Sequence, residues 1–148
     1  MASVFTRILK GELPGRVVWR DETCAALLSI HPLKPGHTLV VPFEEVDHWL
    51  DLEPELASHL FGVSQTIGRA LQRAFEPEKV GLMIAGLEVR HVHLHLVPMD
   101  DIHDLDFARQ DPNPDPKALD RAAEAICAVL RDLGFEKEAA GRSPGAGG

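Results

Sequence analysis

The stretch Arg90-His91-Val92-His93-Leu94-His95-Leu96-Val97-Pro98 decides how this chain is read. Imidazoles occupy three alternate positions, with Val92, Leu94 and Leu96 following each in turn. A repeat of two is the period of a β-strand, so the three rings are expected on one face of one strand. The aliphatic residues fill the other face and give it a core to bury against. The 148-residue chain has eight histidines, and three fall within these five positions, a concentration beyond chance scatter. Three groups that titrate near neutrality on a rigid element can be used for chemistry. The same spacing also serves a solvent-facing strand rich in histidine, or a Zn²⁺ site.

Just upstream, residues 80–85 read as a neighbouring strand, joined to 91–97 through Gly86-Leu87-Glu88-Val89. Further upstream, Leu56, Leu60, Val63, Ile67 and Leu71 recur at three- and four-residue steps, which predicts a helix over 51–74. Asp51 is its expected cap. Its apolar stripe is core or dimer surface. Residues 17–19, 24–30 and 38–41 read as three more strands, separated by Arg20-Asp21-Glu22 and by the stiff loop Pro32-Leu33-Lys34-Pro35-Gly36. A short helical turn carries Phe5, Ile8 and Leu9 and is broken at Lys10-Gly11. Downstream, residues 100–116 form an acidic, Pro-containing loop, and a second helix is expected over 117–133. Five strands mixed with two long helices predict an α+β domain with a five-stranded antiparallel sheet, a long helix packed on it and a C-terminal helix.

One domain over residues 1–135 is the natural count, followed by a tail over 136–148 that is expected to be disordered, its end being Gly-rich. Net charge is −8. That balance argues against a nucleic-acid partner, since phosphate backbones need clustered Lys and Arg. A small phosphate ligand held by backbone N–H groups remains compatible with it. Cys24 and Cys127, the two cysteines, form neither a disulfide framework nor a CxxC knuckle and are expected to pack as small apolar groups. No stretch reaches transmembrane length and no apolar leader segment opens the chain, so no membrane partner and a cytoplasmic location are expected. His48, His59 and His103 are expected to be solvated or capping residues. The acidic group Asp100, Asp101, Asp104 and Asp106 is expected to be a solvated loop. Arg90 falls on the alternate face of the strand by parity.

Three blocks together resemble the histidine triad family. They are His91-Val-His-Leu-His-Leu-Val97, Pro35-Gly36-His37-Thr38-Leu39-Val40-Val41-Pro42, and the N-terminal Phe5-Thr-Arg-Ile-Leu-Lys-Gly-Glu-Leu-Pro14. Their order and separation match as well, over about residues 3–107. The resemblance implies a nucleotide hydrolase or nucleotidyl transferase that cleaves at the α-phosphorus of nucleoside phosphoramidates or dinucleoside polyphosphates through a nucleotidyl-histidine intermediate. It implies His93 as nucleophile, His95 as the ring that orients it or bonds the phosphate, His91 as support for the transferred phosphoryl group, and His37 as a fourth imidazole. Clustered rings resist being protonated together, which keeps His93 neutral.

The resemblance further implies that Gly86 lets the backbone approach the phosphate, with the Glu88 and Val89 amides as donors. Phe5, Ile8, Leu13, Leu27 and Leu39 would line the base pocket. Ser29 falls where relatives place an Asp or Asn on the ribose. The implied partners are a purine nucleoside monophosphate conjugate and a second copy of the chain in a homodimer; no cofactor is implied. The chain departs from the pattern in three ways. The loop before the triad is short and lacks an Asn, Ser29 offers fewer acceptors than a carboxylate, and Ser3 and Thr6 stand where some bacterial relatives carry a zinc-binding CxxC. No zinc is expected there. The alternatives are a nucleotide-binding regulatory module without catalysis, and a metal site at the three histidines.

Overall fold

The computed structural model describes residues 2–140. Helix α1 (Val4–Leu9) leads into the hairpin β1 (Val17–Arg20) and β2 (Cys24–Leu28). Then follow β3 (Thr38–Pro42), the long helix α2 (Pro54–Phe75), β4 (Lys79–Met83), β5 (Leu94–Met99), α3 (Pro116–Asp132) and α4 (Glu136–Ala140). The five strands form one sheet in the order β1-β2-β3-β5-β4, with every neighbouring pair antiparallel. This is the α+β architecture expected above.

Both faces of the central strands are covered, and alternation sorts their side chains. Val18, Ala26, Leu28, Val40, Leu94 and Leu96 face a core built with Leu60, Val63, Ile67 and Leu71 of α2 and with Ala123, Ile126 and Leu130 of α3. Val17, Ala25, Leu27, Leu39 and Val41 face the other way and pack with Phe5 and Ile8 of α1. A buried Leu or Ile contributes about 1.5–3 kcal/mol of transfer free energy, so the helical layer anchors the sheet. The α1 side is the thinner layer, and polar side chains share it. His95 alternates with Leu94 and Leu96 on β5, so its ring falls on this side.

Several element ends differ from the sequence reading. Helix α2 begins at Pro54, not at Asp51; a proline at the first helical position has no N–H to waste there. Asp51 instead ends a single 3₁₀ turn, Trp49–Asp51, capped by the His48 ring. Strand β4 is Lys79–Met83. Strand β5 begins only at Leu94, so His91 and His93 precede the ladder and do not sit on a regular strand. Residues 136–140, placed in the disordered tail by sequence, form α4, and Ala139 is fully buried. The rest of that tail, 141–148, lies outside the described residues.

Candidate active site

The site is built where β3 and β5 run side by side, Leu39 opposite His95 and Val40 opposite Leu94. Strand β4 holds His95 from the other side through Met83. Ahead of the ladder, the Val92 N–H donates to the Val46 carbonyl at 2.7 Å, which ties down the stretch carrying His91 and His93. His37 enters from the loop before β3. Gly36, at φ +93°, makes the left-handed turn there, against the Phe75 ring. Its neighbour His37 is 1% exposed.

Hydrogen bonds to groups that can only donate or only accept assign a proton position to each ring. The Leu33 N–H donates to His37 Nδ1 at 3.0 Å, so the His37 proton lies on Nε2. That Nε2–H faces His95 Nδ1 at 3.0 Å, so His95 Nδ1 accepts and His95 carries its proton on Nε2. The His93 Nδ1–H donates to the His91 carbonyl at 2.7 Å, which leaves a lone pair on His93 Nε2. The His91 Nε2–H donates to the Pro42 carbonyl at 2.8 Å, and His91 Nδ1 accepts from the Ser3 hydroxyl at 2.6 Å. Side by side, then, stand one ring with a free lone pair and one ring with a free N–H, their centroids 4.8 Å apart.

Burial keeps His37, His93 and His95 neutral. It lowers His37 from 6.5 to about 4, with the His93 ring adding to the effect. It lowers His95 to about 3, with His93 and His37 adding to it. His93 is also lowered, by burial first; its bond to the His91 carbonyl works the other way. A neutral imidazole is the nucleophilic form.

His93 and His95 open onto a cavity of about 220 Å³ whose other walls are residues 85–89, Phe107 and Gln110. Gly86, at φ +79°, shapes that wall, and Glu88 and Val89 line it. Phe5 stands edge-on to His93, centroids 4.8 Å apart, and also touches His91 at 5.7 Å. Ile8, Leu27 and Leu39 are buried in the α1-side core, with Leu13 packed at its margin. Ser29 is 7% exposed, and its hydroxyl accepts from the His31 N–H.

His91 is placed differently from the role the resemblance gave it. It is fully buried with both ring nitrogens engaged, so it braces the site from behind and offers nothing to a phosphate. The three rings also do not converge as a metal-ligand set, because the His91 nitrogens point at Ser3 and Pro42.

Sequence reading missed Phe107, Gln110, Ser3 and Glu45 as neighbours of the site. Phe107 stacks edge-on against His95 at 5.0 Å. Gln110 donates to the His31 carbonyl. Glu45 accepts from the Ser3 N–H and the Thr6 hydroxyl, both at 2.6 Å, and these bonds hold its carboxyl below the ordinary range. Ser3 also caps α1 by accepting from the Thr6 N–H. The one signal in the sequence was Phe107, a single aromatic in an otherwise acidic, proline-rich loop.

The HIT domain family matches residues 10–102, more than half of the chain. This chain therefore belongs to the histidine triad (HIT) family, a superfamily of nucleotide-binding hydrolases and transferases. It is 35% identical over 99 residues to an uncharacterised HIT-like protein of Methanocaldococcus jannaschii, covering 64% of this chain and 77% of that one. An uncharacterised HIT-like protein of Mycobacterium tuberculosis is 31% identical, with 95% of this chain and 98% of the other covered. Among solved structures, a zinc-bound histidine triad family protein from Mycobacterium smegmatis superposes with a TM-score of 0.77 at 29% identity, covering 92% of this chain and 98% of that one. Among the described residues, no helix is long and apolar enough to cross a membrane.

Proposed function

We propose that this protein cleaves nucleotide conjugates at the α-phosphorus through a nucleotidyl-His93 intermediate. The observation that carries the reading is the 2.7 Å bond from His93 Nδ1–H to the His91 carbonyl, which turns the Nε2 lone pair outward. In the first step Nε2 attacks phosphorus and the bond to the leaving group breaks. The ring then carries positive charge, which the His91 carbonyl on Nδ1–H stabilises. The neighbouring His95 Nε2–H, the one proton on a neutral ring, hydrogen-bonds the departing atom, which takes its proton from solvent. In the second step water attacks phosphorus, the bond to His93 Nε2 breaks, the water proton passes to solvent, and the nucleoside monophosphate and a neutral His93 are freed. The amides of Glu88 and Val89, beside Gly86, are the donors for the phosphoryl oxygens.

The charge of the cavity favours one of the two substrate groups. Among its lining residues Glu88 is the one formally charged side chain, and no Lys or Arg is present to hold a polyphosphate leaving group. A neutral or cationic amine suits it better, so a purine nucleoside phosphoramidate is preferred over a dinucleoside polyphosphate. Phe5, with Ile8, Leu13, Leu27 and Leu39 behind it, supplies the apolar surface for the base, and Ser29 the ribose contact. A homodimer is part of the same reading: β4 is a free sheet edge, and Leu82 on it is 41% exposed.

The test is turnover of an adenosine phosphoramidate. His93→Ala should lower kcat/KM by at least about 10³-fold. Peptide mass spectrometry of a stalled reaction should place the nucleotidyl group on residues 91–97. If nucleotide binds but His93→Ala leaves turnover unchanged, the protein is a binding module and the covalent scheme fails.

A further inference from the structure

The turn between β1 and β2 gathers reactive side chains on elements that share no residue with the cavity beside His93. Asp21 Oδ1 accepts from the backbone N–H groups of Thr23 and Cys24, each at 2.9 Å. This closed Asx turn fixes the carboxylate and aims Oδ2 inward. There it meets His59 Nε2 at 2.7 Å and the Cys24 thiol at 3.4 Å. The Trp19 indole N–H holds the same oxygen from a third side at 3.0 Å. Cys24 is fully buried, whereas His59 reaches over from α2 with its side chain 44% exposed.

Asp21 Oδ2, Cys24 Sγ and His59 Nε2 all lie within 4.8 Å of one another. One oxygen, one sulfur and one imidazole nitrogen around a common point make a mixed donor set of the kind that binds Zn²⁺. Tetrahedral zinc, with bonds of about 2.0–2.3 Å, holds neighbouring ligand atoms roughly 3.3–3.7 Å apart. The sulfur–oxygen spacing of 3.4 Å already fits, and the His59 nitrogen, on an exposed side chain of a long helix, needs to draw back from Oδ2 by less than 1 Å. Asp21 and His59 also wall a cavity of about 680 Å³ whose rim carries Glu22, Glu44, Glu53 and Glu55. None of these four glutamates forms an ion pair among the described residues. Their uncompensated charge raises the local concentration of cations at the mouth of the site.

We propose that Asp21, Cys24 and His59 form a transition-metal site of the zinc type, with its fourth position turned to the acidic cavity. Without metal, His59 and Cys24 both donate to Asp21. When the metal binds, the His59 proton moves to Nδ1, the thiol proton leaves to solvent, and the carboxylate keeps its charge. The ion clamps the β1–β2 turn to α2. It is independent of the chemistry at His93.

Titration of chelator-stripped full-length protein with Zn²⁺ and with Co²⁺ tests this. One equivalent per chain is expected, with a thiolate-to-cobalt charge-transfer band in the near ultraviolet. His59→Ala and Asp21→Asn should each weaken Zn²⁺ binding by at least about tenfold, and Cys24→Ser should lose the band. His93→Ala should bind Zn²⁺ as the parent does. Zinc should raise the Tm of the parent and not that of His59→Ala, an exposed position where folding is not at stake. Absence of a bound equivalent, absence of the thiolate band, or binding that follows His93 instead of His59 overturns the proposal.

Discussion

His95 and His93 are two residues apart and are held by opposite means. His95 sits inside the ladder, paired with Leu39 on one side and Met83 on the other. Its backbone is fixed by the sheet, and its ring needs only the His37 contact to settle its proton. His91 and His93 lie ahead of the ladder, and there the rings brace the backbone. The His91 ring spans from Ser3 to Pro42, and the His93 ring closes onto the His91 carbonyl. Where the sheet supplies geometry, an imidazole is left over for chemistry. Where it does not, one imidazole is consumed as a strut so that the next can present a bare nitrogen. A run of three identical residues therefore holds three different roles.

The largest expected effect concerns the half held by the sheet. His37 and His95 are neutral in the fold, at about 4 and about 3, against 6.5 ordinarily. The unfolded chain therefore binds more protons than the folded one between pH 6.5 and about 4, and stability falls as pH falls through that window. Above pH 6.5 this contribution is fully present. The loss is on the order of several kcal/mol. Urea denaturation at a series of pH values measures it, and His95→Asn should flatten the slope. A level profile between pH 6.5 and 4 would mean that the two rings are not kept neutral by burial.

Next comes the turn that delivers His37. A Cβ on Gly36 would lie 2.6 Å from the Phe75 ring, at a backbone φ of +93° that side-chain-bearing residues avoid. Gly36→Ala should destabilise by about 3 kcal/mol, part backbone strain and part overpacking. It should also displace the Leu33 N–H from His37 and so blur the proton position on His95. A change under about 1 kcal/mol in urea midpoint analysis would show a loop that yields, and a looser His37 than its burial suggests.

These two cases also show where sequence reading succeeded. The sheet and long helices were legible because apolar periodicity is a local signal: Leu60, Val63, Ile67 and Leu71 name a helix face without help from the rest of the chain. The histidine run was legible as a candidate site because its residue type is rare. Its division of labour was not, because period two says which way a ring points only if the ladder extends under it, and β5 begins at Leu94. Ser3, Glu45 and Gln110 lie 88, 46 and 15 residues from His91 or His95 by number, and their partners are set by how α1 and the 100–115 segment fold back. Nothing in the local pattern around them encodes that return. The acidic loop was read as solvated, which describes Asp101 and Asp106 capping their own turns, yet the same loop lends Phe107 to the site.

The smallest effect addresses the half held by side chains. Ser3→Ala removes the hydroxyl donor to His91 Nδ1 and the acceptor that caps α1. Each loss costs about 1 kcal/mol at a partly buried position. If His91 is a strut, the chemical consequence is indirect. The ring tilts, its carbonyl shifts, and His93 Nδ1–H is held less well, so kcat falls while KM stays. Ser3→Thr restores a hydroxyl that can both cap and donate, and should restore kcat with it. A rise in KM with kcat intact would put His91 in contact with the nucleotide after all. A Thr variant that regains stability but not kcat would show that the cap, and not the bond to His91, is what Ser3 contributes.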